Sequence, residues 1–181
     1  MVYRFLLLSD EVDDFKREIQ ISSQATFFDF HKEILKTTGY DKQQVYAFFI
    51  CGDNWSKQIE ITQIEMDTSS EEDSYVMEAT LLEDLLEEER QKLIYVFDPL
   101  AERVFFIELR EIITGKDLRD PVCTVAAGIP PKQFIDFEAV SNDVISSDTG
   151  ENFYGNDAFD DEDLYGLGEG SFEDEPLNDR F

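Results

Sequence analysis

The chain has one histidine, His31, so a Ser-His-Asp or Cys-His arrangement would have to pass through it. Cys51 could approach that imidazole in space, because it ends an apolar stretch expected to be a strand. A working pair would also need an orienting group. His31 instead falls in the middle of an apolar helical arc, which predicts a buried packing histidine beside Phe27, Ile34 and Leu35. Cys51 and Cys123 lie too far apart for a zinc or redox spacing. A free cysteine of this kind usually packs as a small hydrophobe. One histidine and two distant cysteines make no zinc site without carboxylates.

The densest run of oxygen ligands is Asp157-Ala158-Phe159-Asp160-Asp161-Glu162-Asp163. It fits no EF-hand register, because the required glycine and glutamate do not fall into place. Gly166-Leu167-Gly168-Glu169-Gly170 has the wrong flanks for a phosphate loop, and neither a dinucleotide nor a Walker pattern occurs. Among 42 acidic residues, no carboxylate pair stands out for glycoside chemistry. No catalytic, cofactor-binding or metal residue is therefore assigned, and no cofactor is expected. Trp55, the lone tryptophan, follows the turn Gly52-Asp53-Asn54. Its residue type suits a packing position or an exposed anchor in a binding surface.

The elements that would position these groups read as follows. Val2–Leu8 is almost continuously apolar and predicts a buried strand. After the polar turn Glu11-Val12-Asp13-Asp14, Phe15–Ile21 alternates, with Arg17 interrupting its apolar face, and a hairpin is expected. A helix follows: Thr26 can cap it, Asp29 stands three residues on, and Gly39 lies past its end. Phe27, Phe30, His31, Ile34 and Leu35 share one face, with Asp29, Lys32, Glu33 and Lys36 opposite. Val45–Cys51 and Ile59–Met66 are expected strands, with a bulge near Gln63-Ile64. Thr68–Asp73 is an expected exposed loop. Thr80 with Glu83 predicts the capped start of a second helix, striped by Leu81, Leu82, Leu85 and Leu86. Leu93–Phe97 and Val104–Ile113 are strands around the turn Asp98–Glu102. Strands with two intervening helices predict a single α+β domain, largely antiparallel, with both helices on one sheet face.

Charge bounds the partners. The 42 acidic and 15 basic residues give a net −27. From Ser141 onward there are 13 acids and one base, Arg180, so that segment carries 1 − 13 = −12 and residues 1–140 carry 14 − 29 = −15. The organisation expected is a domain over 1–140 and an acidic, flexible tail over 141–181. The tail has five glycines and no apolar period, and so too little burial to offset chain entropy. Its six aromatics, Phe153, Tyr154, Phe159, Tyr165, Phe172 and Phe181, are more than solubility needs. Direct nucleic-acid binding and anionic membranes are disfavoured, because both reward Lys and Arg. A basic protein partner is electrostatically allowed. No signal peptide or membrane span is evident, and two separated cysteines suit a cytoplasmic setting.

Four stretches resemble the plasmid ORF-3-like family, which includes TnpR-type passenger proteins of insertion elements. They are Thr26–Ile34, with its hydrophobic-His step; Gly39-Tyr40-Asp41 leading to Val45–Phe48; Thr80–Leu86 leading to Tyr95-Val96-Phe97-Asp98; and Cys123 through Gly128-Ile129-Pro130-Pro131. After Phe97-Asp98 this chain has Pro99 and lacks the Trp and His of the fuller pattern. After Pro131 it has Lys132-Gln133-Phe134, where Glu-Asp and Gly-Gly are common. The resemblance implies a fold and a mobile-element ancestry, not a resolvase chemistry. The function expected is a non-enzymatic accessory or interaction module. The alternatives are an acidic mimic of nucleic acid that inhibits a basic partner, and a carboxylate-based enzyme.

Overall fold

The computed structural model describes residues 1–64 and 75–134, which lie within one compact unit, Met1–Asp136. The elements are β1 (Val2–Leu8), β2 (Lys16–Ser22), α1 (Phe27–Thr38), β3 (Ala47–Cys51), β4 (Lys57–Thr62), β5 (Tyr75–Val76), α2 (Leu82–Leu85), β6 (Lys92–Asp98), β7 (Arg103–Ile113) and β8 (Val122–Ala127). They form an α+β fold around one eight-stranded sheet in the order β5-β4-β3-β6-β7-β1-β2-β8. Every pairing is antiparallel except β4 with β5. The expected loop over Thr68–Asp73 and the acidic tail lie outside the described residues.

Alternation sorts the side chains between two faces. Tyr3, Phe5 and Leu7 of β1 point under α1, where Phe5 stacks on Phe30 at 4.5 Å between ring centroids. Phe27, Phe30 and Ile34 are fully buried. Each such side chain contributes roughly 1.5–3 kcal/mol by leaving water. Leu82 and Leu86 join the same inner core, so both helices serve one face. Continuous apolarity in β1 follows from its place between β7 and β2.

α1 is bounded by its own chemistry. The Asp29 N–H donates to Thr26 Oγ1 at 3.1 Å, the Thr26 N–H donates to Asp29 Oδ2 at 3.2 Å, and Gly39 closes the end at φ 74°. One expectation for this helix fails. Glu33 belongs to the polar arc by periodicity but is buried, and its carboxylate accepts from Lys36 Nζ at 2.9 Å. The reason is β8, which lies along that flank and brings Cys123 within reach of the Glu33 charge.

Four further readings need correction. Thr80 does not cap α2: its hydroxyl donates back to the Val76 carbonyl at 2.9 Å. The Leu81 N–H is instead held by Asp84 Oδ2 at 2.9 Å, and Glu83 accepts from Ser23 Oγ at 2.7 Å. The helix is a single turn. β3 begins at Ala47, because the Tyr46 N–H donates to the Gln63 side chain at 3.1 Å and Val45 is exposed. β4 runs over Lys57–Thr62, and the changed parity at Gln63-Ile64 is the strand's end. The irregularity between β3 and β4 falls at Ile50/Cys51.

Candidate functional site

His31 is buried, as its place on the arc implies. Its ring lies against Phe28, Tyr46 and Tyr95, at centroid distances of 5.6, 4.9 and 5.9 Å. Both ring nitrogens are engaged. Gln63 Oε1 accepts from the Tyr46 N–H, which turns the Gln63 amide nitrogen toward His31 Nε2 at 3.1 Å. That amide can only donate, so Nε2 carries the lone pair. The proton therefore sits on Nδ1 and is donated to the Tyr95 hydroxyl at 2.7 Å. Burial, and secondarily the Lys32 charge, lower the His31 pKa from 6.5 to about 4. Burial also holds the Tyr95 phenol well above its ordinary value and pushes Tyr46 up to about 12. This is a neutral, hydrogen-bonded polar knot in the core. No lone pair or proton of the imidazole is left over for a substrate.

The sheet keeps Cys51 from that knot. Tyr95 faces the helices, whereas Cys51 clusters with Ile94 and Val96 on the opposite face. Burial raises both cysteine thiols above their ordinary values, so neither is an activated thiolate. Among the described residues, no group of three or more His, Cys, Asp or Glu converges as metal ligands. The acidic run Asp157–Asp163 lies outside the described residues.

Two arginines fasten the segment after β8. Arg17, the residue that interrupts the β2 face, is buried with its guanidinium 4.5 Å above the Phe15 ring. It donates to the carbonyls of Thr37 at 3.3 Å, Lys16 at 2.9 Å, Gly128 at 3.2 Å, and Ala127. It thus ties the C-terminal turn of α1 to the end of β8. Carbonyl oxygens stand in for the water a buried charge would otherwise lose. Arg103 makes a bidentate pair with Glu11 at 2.7 and 2.8 Å, and donates to the Gln133 and Lys132 carbonyls at 3.0 and 2.6 Å. Gln133 in turn donates to the Tyr46 hydroxyl at 2.8 Å and accepts from the Asp41 N–H at 2.7 Å. The departure from the family pattern at Lys132-Gln133-Phe134 is therefore structural glue.

The face of the sheet away from the helices carries a second apolar cluster. Cys51, Ile94 and Val96 are buried at its centre, with Phe49, Trp55, Val104 and Phe106 half-buried around them. Among the described residues, no helix residue belongs to it. Trp55 meets Phe106 edge-on at 4.9 Å, with Lys92 Nζ 5.2 Å from its ring, and Lys57 Nζ lies 4.4 Å from the Phe49 ring. Trp55 stands at φ 65°, a conformation that costs a bulky side chain of order 1 kcal/mol or more. The turn holds it there: the Trp55 N–H donates to Gly52 and the Gly52 N–H to Ser56, both at 2.9 Å. Three carboxylates at the margin of this face are paired. Glu18 binds Lys16 and Arg4, Glu111 binds Arg4, and Glu108 binds Arg110. They make no free phosphate-like row, which weighs against a nucleic-acid mimic on this surface. Sequence reasoning singled out Trp55 but missed Phe106 and Phe49 as its neighbours, because only sheet register brings them together.

Residues 4–138 match the family described as plasmid pRiA4b ORF-3-like protein, and the chain belongs to that family. No curated protein matches the chain. Its fold is similar to a crystal structure of a protein of unknown function from Methanosarcina mazei, with a TM-score of 0.55 and 16% identity over 80% of this chain and 82% of that one. Among the described residues, no helix is long and apolar enough to cross a membrane.

Proposed function

We propose that this member of the plasmid ORF-3-like family is a non-enzymatic protein-interaction module. Its contact surface is the outer face of the sheet, and its partner is a basic protein. The observation that carries the reading is Trp55, held at φ 65° over Phe106. Strained backbone that presents an aromatic side chain is a common device of binding sites. Phe49, Val104 and Phe106 give the tryptophan an apolar surround from which water can be displaced. The net charge of −27 favours a basic partner by steering its approach. The plasmid in the family's description supports a mobile-element ancestry and leaves the partner open.

The test compares the full chain, a chain ending at residue 140, and the full chain with Trp55→Gly. Glycine accepts φ 65° without strain and removes the indole, so the variant should fold while losing the anchor. Each chain is used to capture proteins from the native cell, and the captured protein is then titrated in purified form. A basic protein that binds the full chain stoichiometrically, at least about tenfold more weakly to Trp55→Gly, and more weakly in added salt, is the expected result. Binding that Trp55→Gly leaves unchanged would remove the outer face from the reading. Binding lost only on truncation at 140 would assign the interaction to the tail.

A further inference from the structure

We propose that the free edge of β8 pairs with the β8 edge of a second copy of this chain, antiparallel about a two-fold axis. β8 ends the sheet and is paired only to β2 among the described residues. It offers Val122-Cys123-Thr124-Val125-Ala126-Ala127, six residues without a charge in a chain that is 31% charged. Natural sheets usually guard such an edge with lysine, an internal proline or a bulge, because its unpaired N–H and C=O groups are a template for another strand. Of these β8 has only the bulge, at Thr124, where the partner of Glu18 is Val125 and that of Ile19 is Cys123. Here Pro121 and Pro130-Pro131 flank the strand, and neither interrupts it. The opposite sheet edge, β5, is only two residues long. Val122, Thr124, Ala126 and Ala127 are exposed, and about 20 Å of extended backbone is available.

Charge selects the occupant. The approach to the strand, Lys116-Asp117-Leu118-Arg119-Asp120, carries two charges of each sign. The edge is thus locally neutral on a molecule of net −27. A strongly acidic or basic peptide would find no complement along β8. A second β8 meets uncharged side chains, and antiparallel pairing of a strand with itself closes on a two-fold axis. Strand-to-strand hydrogen bonding then supplies the contact. The remaining opposition is long-range repulsion between two anionic bodies, which salt screens. Self-association should therefore strengthen as salt is added, opposite to the salt dependence of a basic partner at the outer face.

Sedimentation equilibrium of the full chain tests this, from about 10 µM to about 500 µM protein and from about 50 mM to about 500 mM salt. The expected result is a weight-average mass that climbs from monomer toward dimer with concentration, with tighter association at high salt. Placing Val122→Glu and Ala126→Glu on the exposed positions should weaken the dimer at least about tenfold by setting like charges across the two-fold. Deuterium uptake over 122–127 should fall as the wild-type dimer forms. A chain monomeric throughout overturns the proposal. So does a dimer that the two glutamates leave unchanged, or one that does not protect residues 122–127.

Discussion

At the residue scale, His31 shows how a group with catalytic potential becomes structural. Gln63 donates to one nitrogen and Tyr95 accepts from the other, so the ring is locked neutral. Its pKa is lowered from 6.5 to about 4, and the unfolded chain therefore takes up a proton at higher pH than the folded one. The neutral folded form has its full advantage above pH 6.5, loses it as pH falls toward 4, and loses no more below that. The shift corresponds to on the order of 3 kcal/mol. Urea unfolding across this window should show the wild type losing about 2–3 kcal/mol more than His31→Phe, which has no imidazole to titrate. The variant should be the less stable protein at neutral pH, with the Gln63 amide nitrogen and the Tyr95 hydroxyl deprived of their His31 partner. Parallel stability curves for the two proteins would mean that His31 titrates in the fold as it does in the unfolded chain. Gly128 makes a different demand. It stands at φ 66°, and an added Cβ would lie 2.3 Å from the Asp14 carbonyl oxygen. Gly128→Ala should cost more than about 2 kcal/mol by thermal or chemical unfolding. A smaller loss would show that the Asp14 turn yields easily.

At the element scale, α1 is the best test of local coding. Its box, Thr26 with Asp29, and its Gly39 stop are read from neighbours in the chain, and the structure keeps all three. Thr26→Ala should remove about 1 kcal/mol of stability, with the amide of Asp29 exchanging faster in hydrogen–deuterium measurements. An unchanged protein would mean that packing of Phe27 and Phe30 fixes the helix start by itself. The strands around the central hairpins were legible for the same reason, since runs such as Leu93–Phe97 are apolar enough to declare themselves. β8 was not. Val122–Ala127 is half exposed, and its strand character comes from pairing with β2, more than 90 residues earlier in the chain. The second helix was legible as a leucine stripe and misread at its cap, because the Thr80 hydroxyl closes the preceding turn. Within the candidate sites, the burial of His31 followed from helical period. Its partners Tyr95 and Gln63, and the neighbours of Trp55, depend on sheet register, which no local pattern encodes.

At the scale of the whole molecule, charge and topology divide the work between the two sheet faces. One face carries the helices and the polar knot. The other gathers an apolar patch with ion pairs at its margin, and Arg17 and Arg103 each secure the chain from the end of β8 onward with two of their four hydrogen bonds. Among the described residues Arg4, Lys16, Lys32, Lys36, Arg103 and Arg110 are ion-paired to the protein's own carboxylates, and Arg17 is spent on backbone carbonyls. A duplex would therefore meet few unengaged cations on a body of net −27, and few counterions would be released to drive binding. The full chain should not bind duplex DNA at physiological salt. Ending the chain at residue 140 removes −12 and leaves −15, so the shortened protein should fail as well. Fluorescence anisotropy with a labelled duplex, read as salt is lowered, checks both chains. Sub-micromolar binding that weakens steeply with salt in either chain would place a cationic stripe on a surface that the ion pairs here assign to the protein's own carboxylates. Binding that appears only after truncation would show that the tail's charge, rather than the fold's, keeps nucleic acid away.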